Sequence, residues 1–153
     1  MTTPTTAAIA NLQAALERGA AVRPEVGGFP YLAESLRRSG VTRCRMAVPS
    51  NAFLYLTEHG DVVIQGEPLV TGPVQAPPFD REALVAALRA DQAGKTTFPE
   101  FVRASWDAGV VWYDVDTAAR TCTYHGTRGE SYTEDYPAVV LPGAAPHAPG
   151  DAA

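Results

Sequence analysis

The stretch "FPEFVRASWDAGVVWYDVD" (98–116) nearly repeats "FPYLAESLRRSGVTRCRMA" (29–47), which stands sixty-nine positions upstream. Without a gap, Phe29 aligns with Phe98, Pro30 with Pro99, Gly40 with Gly109 and Val41 with Val110. The match continues through Tyr55 and Tyr124, Gly60 and Gly129, and Pro68 and Pro137. Just upstream of each copy, "LQAAL" answers "LVAAL". What recurs is a structural grammar: proline in a first helical turn, glycine at a helix stop, valine opening a strand. A duplicated unit of helix, helix and three-stranded meander is the expected architecture.

Periodicity fills in each unit. A first helix is predicted over Ala8–Arg18, with Gly19 as its stop. A second runs over Pro30–Ser39, its stripe of Phe29, Leu32, Ala33 and Leu36 lying on one face, and Gly40 ends it. "VTRCRMAV", "AFLYL" and "DVVIQ" then read as strands separated by turn residues. In the second copy, Asp80 caps a helix over Arg81–Gln92, and "TFPE" is a capping box opening the next. That last helix carries the stripe Phe98, Phe101, Val102 and Ser105. Strands are predicted near 110–115, 121–126 and 130–136. The expected divisions are a disordered 1–6, a first repeat 7–67, a proline-rich linker 68–79, a second repeat 80–140 and a disordered tail 141–153.

Strand alternation assigns faces. Cys44, Met46, Tyr113 and Val115 should point inward, and Arg43, Arg45, Trp112 and Asp114 outward. Phe53, Tyr55, Cys122 and Tyr124 should join the inner face. A half of roughly 70 residues has a thin core, so each copy needs the other to cover its apolar surface. The expectation is an α+β fold: two tandem helix-helix-three-strand repeats packed about an approximate two-fold axis, helices on one face of an antiparallel sheet.

At 46% apolar and 19% charged residues the composition is that of a globular domain. A net charge of −5 argues against a dedicated nucleic-acid binder. No apolar run approaches the ~18–20 residues of a membrane span. The N-terminal stretch lacks the basic region of a secretory signal. Cys44 and Cys122 lack metal-type spacing, so reduced thiols in a cytoplasmic protein are expected.

Residues 90–137 carry a family likeness: Gln92, Gly94 and Lys95, then Phe98 and Phe101, then Ala-Gly-Val at 108–110, then Tyr124, Gly129 and Glu130. This pattern resembles the YdfO/YbcV-like family of small bacterial and prophage proteins, a domain of unknown function sometimes labelled phage envelope protein. The resemblance implies a compact α+β fold and no defined activity.

Candidate sites fall into three groups. Lys95, the one lysine beside eleven arginines, follows a helix stop with Gln92 just before it. It could bind an anion, or simply complement the helix C-terminus. The outward strand face gathers Arg43, Arg45, Trp112 and His125, residue types common in binding hot spots. There a ligand or partner, a homodimer contact, or coverage by another segment are the alternatives. Tyr113 and Tyr124 face the seam between repeats, the default position for a pocket. The carboxylates Glu130, Glu134 and Asp135 read as a solvated acidic edge strand, and Asp116 as the start of a turn. No nucleophile triad, phosphate loop or metal set can be assembled. These features point to a non-enzymatic binding module for an unidentified protein or small molecule, without cofactor. It would work through the open sheet face or the seam; an enzyme or sensor with a seam pocket is the alternative.

Overall fold

The computed structural model describes the backbone of residues 4–141 and the side chains from Ala7 onward. The expectations for residues 1–3 and for the tail beyond 141 lie outside the described residues. Four helices and six strands follow in the order α1 (Pro4–Val22), α2 (Phe29–Arg38), β1 (Val41–Ala47), β2 (Ala52–Thr57), β3 (Val62–Gln65), α3 (Arg81–Gln92), α4 (Phe98–Asp107), β4 (Trp112–Asp116), β5 (Thr121–His125) and β6 (Ser131–Asp135). The strands form one antiparallel sheet in the order β3-β2-β1-β4-β5-β6.

The duplication is written into the central ladder. Arg43 opposes Asp116, Cys44 opposes Val115 and Arg45 opposes Asp114. Advancing each of these residues to its counterpart in the other copy returns the same ladder: Trp112 opposes Ala47, and Tyr113 opposes Met46. The Arg45–Asp114 pair maps onto itself, so the pseudo-two-fold axis passes through it. The β1–β2 and β4–β5 ladders also correspond residue for residue, Cys44↔Tyr55 matching Tyr113↔Tyr124.

The stop glycines behave as the repeat requires. Gly40 (φ +99°) and Gly109 (φ +87°) both adopt the left-handed conformation that ends a helix without Cβ strain. The Thr97–Glu100 capping box is formed in both directions, at 3.3 and 2.9 Å, and the Asp80 carboxylate accepts from the Ala83 N–H at 3.0 Å. A single cluster joins Leu12, Leu36 and Met46 to Leu84, Phe101 and Val110, so the halves share one core.

Three expectations are corrected. The first helix does not stop at Gly19 but runs through it to Val22 and begins at Pro4. Gly19 is there for close approach: a Cβ would lie 2.6 Å from the Leu32 side chain of α2. Phe98, read as part of an inward stripe, is 45% exposed and leans on Phe53 at 6.1 Å between ring centroids. The ungapped repeat fails after the second strand. Tyr55 opposes Val62 but Tyr124 opposes Tyr132, so the second copy has one extra residue in its last turn.

Candidate functional site

The sheet has two unlike faces. On the side away from the helices, the structure brings Arg43, Arg45, Trp112 and His125 together as expected. Arg43 hydrogen-bonds Asp114 and, at 3.1 Å, Asp116, while Arg45 reaches Asp114 at 3.4 Å. The two guanidiniums shield Asp114 so well that it is buried on a face no helix covers. The Trp112 and His125 rings stack 3.7 Å apart, and the Arg45 guanidinium lies 5.2 Å from the Trp112 ring centroid. Burial pushes the His125 pKa down; the Asp114 charge opposes that and Arg45 reinforces it. This constellation satisfies itself, with each cation facing a carboxylate or a ring. Asp116 also opens its turn, accepting from the Ala118 and Ala119 N–H groups at 3.0 Å.

On the helix side, the α1–α2 and α3–α4 hairpins stand over opposite halves of the sheet. Between them and the sheet lies a cavity of about 1340 Å³, larger than the ~300–1,000 Å³ of ordinary ligand pockets. Its floor is the seam: Cys44, Phe53 and Tyr55 from one copy, Tyr113, Cys122 and Tyr124 from the other. Leu32 and Leu36 of α2 and Leu88 and Phe101 of α3 and α4 form its apolar walls. Alternation explains the floor, since each of these strand residues sits on the same side of the pleat. Tyr113 and Tyr124 therefore meet in the cavity, their rings 5.4 Å apart.

The floor is chemically quiet. Burial pushes the Cys44 and Cys122 thiols up to about 12, and it raises Tyr55, Tyr113 and Tyr124 above the ordinary phenol value. At neutral pH all five are protonated, so none is a ready nucleophile or base. The Tyr113 hydroxyl has no hydrogen-bond partner among the described residues.

The rim is polar. Gln92 lines it and donates to Glu134 at 3.0 Å. Glu134 also accepts from Arg89 at 2.5 and 3.1 Å and from the Tyr132 hydroxyl at 2.6 Å. These donors hold the Glu134 carboxyl below its usual range, Arg89 foremost. Glu134 is thus no solvated edge charge: the extra residue in the β5–β6 turn rotates it onto the helix side. Lys95 is exposed and absent from the cavity lining, which passes instead through Gly94 and Thr96 on either side of it. Sequence reading misses two rim groups, Asp91 and Thr96. Asp91 sits one residue before Gln92 on α3, and burial raises its carboxyl pKa while the charge of Arg23 opposes the rise. The Thr96 hydroxyl oxygen is buried without a hydrogen-bond partner among the described residues.

No group of three or more His, Cys, Asp or Glu among the described residues is placed to hold a metal ion. None of the described helices is long and apolar enough to cross a membrane. Uncharacterised proteins of Mycobacterium bovis and of two strains of Mycobacterium tuberculosis are 52% identical to this chain over 140 residues, covering 92% of it and 85% of each relative. Residues 20–135, spanning every strand, α2 to α4 and only the last three residues of α1, match a family described as "Protein of unknown function (DUF1398)", and the chain belongs to that family.

Proposed function

We propose that this protein binds an apolar small molecule in the cavity between its repeats and does not transform it. The observation that carries this reading is the apolar, aromatic floor assembled from both copies beneath a 1340 Å³ space. An apolar floor bordering a space of this size is surface that a bound apolar molecule would remove from water. Binding rather than reaction is supported by the five protonated floor groups. A cytoplasmic setting accords with two free buried thiols. The narrower likeness to the YdfO/YbcV-like proteins adds no activity to this reading.

Nile red, a neutral apolar dye, tests the proposal. The full chain should bind it saturably with enhanced fluorescence. Cys122→Phe should abolish the signal, because Cys122 is the counterpart of Phe53 and the fold already accommodates a phenyl ring at that register. The melting temperature should hold or rise as the void fills. Enhancement that survives Cys122→Phe would overturn the reading.

A second reading is favoured by one observation: Val63, 66% exposed, lies beside Leu54 on the open sheet face next to the Arg45–Trp112–His125 stack. A protein partner or a second copy could dock there. Loss of the dye signal in Val63→Thr, with Cys122→Phe unaffected, would favour it.

A further inference from the structure

The cavity has one end whose chemistry selects a ligand head group. Among the described residues, three carboxylates (Glu25, Asp91, Glu134) and two guanidiniums (Arg23, Arg89) border it, while Asp135, next to Glu134 on β6, faces the other side of the sheet. Arg89 and Glu134 are occupied with each other. Arg23 then stands against two acids, Glu25 and Asp91, and no ion pair to Asp91 closes among the described residues. Asp91 sits in the last turn of α3, where the partial negative charge of the helix C-terminus adds to its own.

The turn after α3 brings the neighbours into place. Gly94 N–H donates to the Asp91 carbonyl at 3.0 Å and Lys95 N–H to the Ala90 carbonyl at 2.9 Å, closing the turn that ends α3 beside Asp91. The loop from the first copy seals this end, with Gly27 N–H donating to the Gln92 carbonyl at 3.2 Å. Asp91 is close enough to Tyr113 for its charge to be felt by the phenol. Two polar groups without hydrogen-bond partners among the described residues thus line the chamber above its apolar floor: the Asp91 carboxylate and the Tyr113 phenol. Both can accept a hydrogen bond, and the only formal charge on the two is negative.

Building on the cavity reading above, we propose that the ligand is an amphiphilic amine. Its apolar body lies over the tyrosine and cysteine floor, and its protonated nitrogen donates to the Asp91 carboxylate, with the Tyr113 hydroxyl as a further acceptor. An ammonium has three donors and no acceptor, which matches this set. A charge-assisted hydrogen bond out of water is the strong kind, so it should dominate selectivity over chains of equal length. A carboxylate head would instead meet a surplus of like charge.

The experiment compares decylamine, decanol and decanoate at pH 7 as competitors of Nile red on the full chain, below their micellar concentrations. Decylamine should compete best. In Asp91→Asn its affinity should fall about ten-fold or more, the scale of one charged hydrogen bond, while decanol is unaffected. The retained decanol binding shows that the variant is folded. An unchanged amine-to-alcohol ratio in Asp91→Asn, or a preference for decanoate, would overturn the inference and leave the apolar cavity standing. Failure of all three to compete, with dye binding also intact in Cys122→Phe, would overturn both.

Discussion

The two halves run in the same register through their first two strands and part at the third. In the first copy Val62 and Ile64 of β3 turn their side chains toward the helices. In the second, one extra residue in the preceding turn puts Tyr132 and Glu134 in those places. A strand shifted by one residue presents its other set of side chains, so a single inserted residue exchanges an apolar edge for a charged one. The consequence reaches α3. Arg89 and Gln92 bend to Glu134, and Arg81 lies over the Tyr132 ring at 5.0 Å. The second hairpin is fastened to its edge strand by polar groups, whereas Ile64 packs against the apolar cluster. The duplicated fold thus holds a symmetric centre and unequal margins, and the polar margin is the one that borders the cavity.

The sharpest way to break the likeness between halves is at their stop glycines. At Gly40 a Cβ would meet the His59 ring at 3.2 Å and the Glu58 Cβ at 3.4 Å, side-chain atoms at tight but tolerable range. At Gly109 it would lie 2.4 Å from the Pro78 carbonyl oxygen and 2.5 Å from the Phe79 Cα, both backbone atoms. The linker causes the difference, since it must cross the α4–β4 turn before Asp80 N–H can donate to the Ala108 carbonyl at 2.8 Å. Gly40→Ala should cost about 1–2 kcal/mol, the left-handed penalty. Gly109→Ala should cost roughly 3 kcal/mol or more, because the backbone must also move. Urea denaturation of both variants checks this, and equal losses would show that the linker yields freely.

The faces of the sheet supply the next contrast. Trp106 is 7% exposed in α4, while Trp112 is half-buried and stacks on His125 beneath the Arg45 guanidinium. Trp112→Ala should lower stability by about 1–2 kcal/mol, the scale of a ring contact with partial burial. Trp106→Ala should lower it by about 3–5 kcal/mol, as for a core aromatic. Thermal melts of the pair would reverse this order only if the open face were covered.

What the sequence discloses follows from how local each cause is. Inward and outward strand residues were legible because alternation is a property of the pleat alone. The capping box at Thr97 and Glu100 and the stop glycines were legible because each acts within a few residues of itself. Trp106 was within reach too, since it stands four residues after Val102 on the same helical stripe. Gly19 misled because glycine ends helices and also lets them touch, and only the position of Leu32 decides which. The slip before β6 was hidden in "GTRGE", where a turn absorbs an extra residue without disturbing any pattern around it. The cavity was foreseen only as a seam. Its volume depends on how far apart two hairpins stand, and Asp91 matters only once that gap exists.

The polar margin offers a smaller test. Arg89 is largely exposed, so its pairing with Glu134 is screened, and Arg89→Ala should cost only about 1 kcal/mol. Glu134→Ile, which installs the first copy's residue, should stay within about 1 kcal/mol of the native protein because apolar packing replaces the ion pair. A large loss in Glu134→Ile, measured by urea denaturation, would mean that the charge itself sets the strand register.

The smallest expected effect is a pH dependence confined to the open face. Burial lowers the folded-state pKa of His125 below its ordinary 6.5, with Arg45 acting in the same direction and Asp114 against it. Folding therefore favours the neutral imidazole. The stabilisation is complete above pH 6.5, where the unfolded chain is neutral too, and declines as pH falls and the unfolded chain gains a proton that the folded one resists. Below the folded pKa His125 is charged in both states, and an imidazolium stacked on Trp112 then also faces the Arg45 guanidinium. The Glu34 carboxyl does not confound this window. Its burial would raise its pKa, but hydrogen bonds from Arg37 and Arg38 more than offset that, so its contribution is lost only at more acid pH. The urea midpoint should fall slightly between pH 7 and pH 5.5 in the native protein and fall less in His125→Asn. An identical fall in both would place the titrating group elsewhere, and would mean that the Trp112–His125 stack is indifferent to charge.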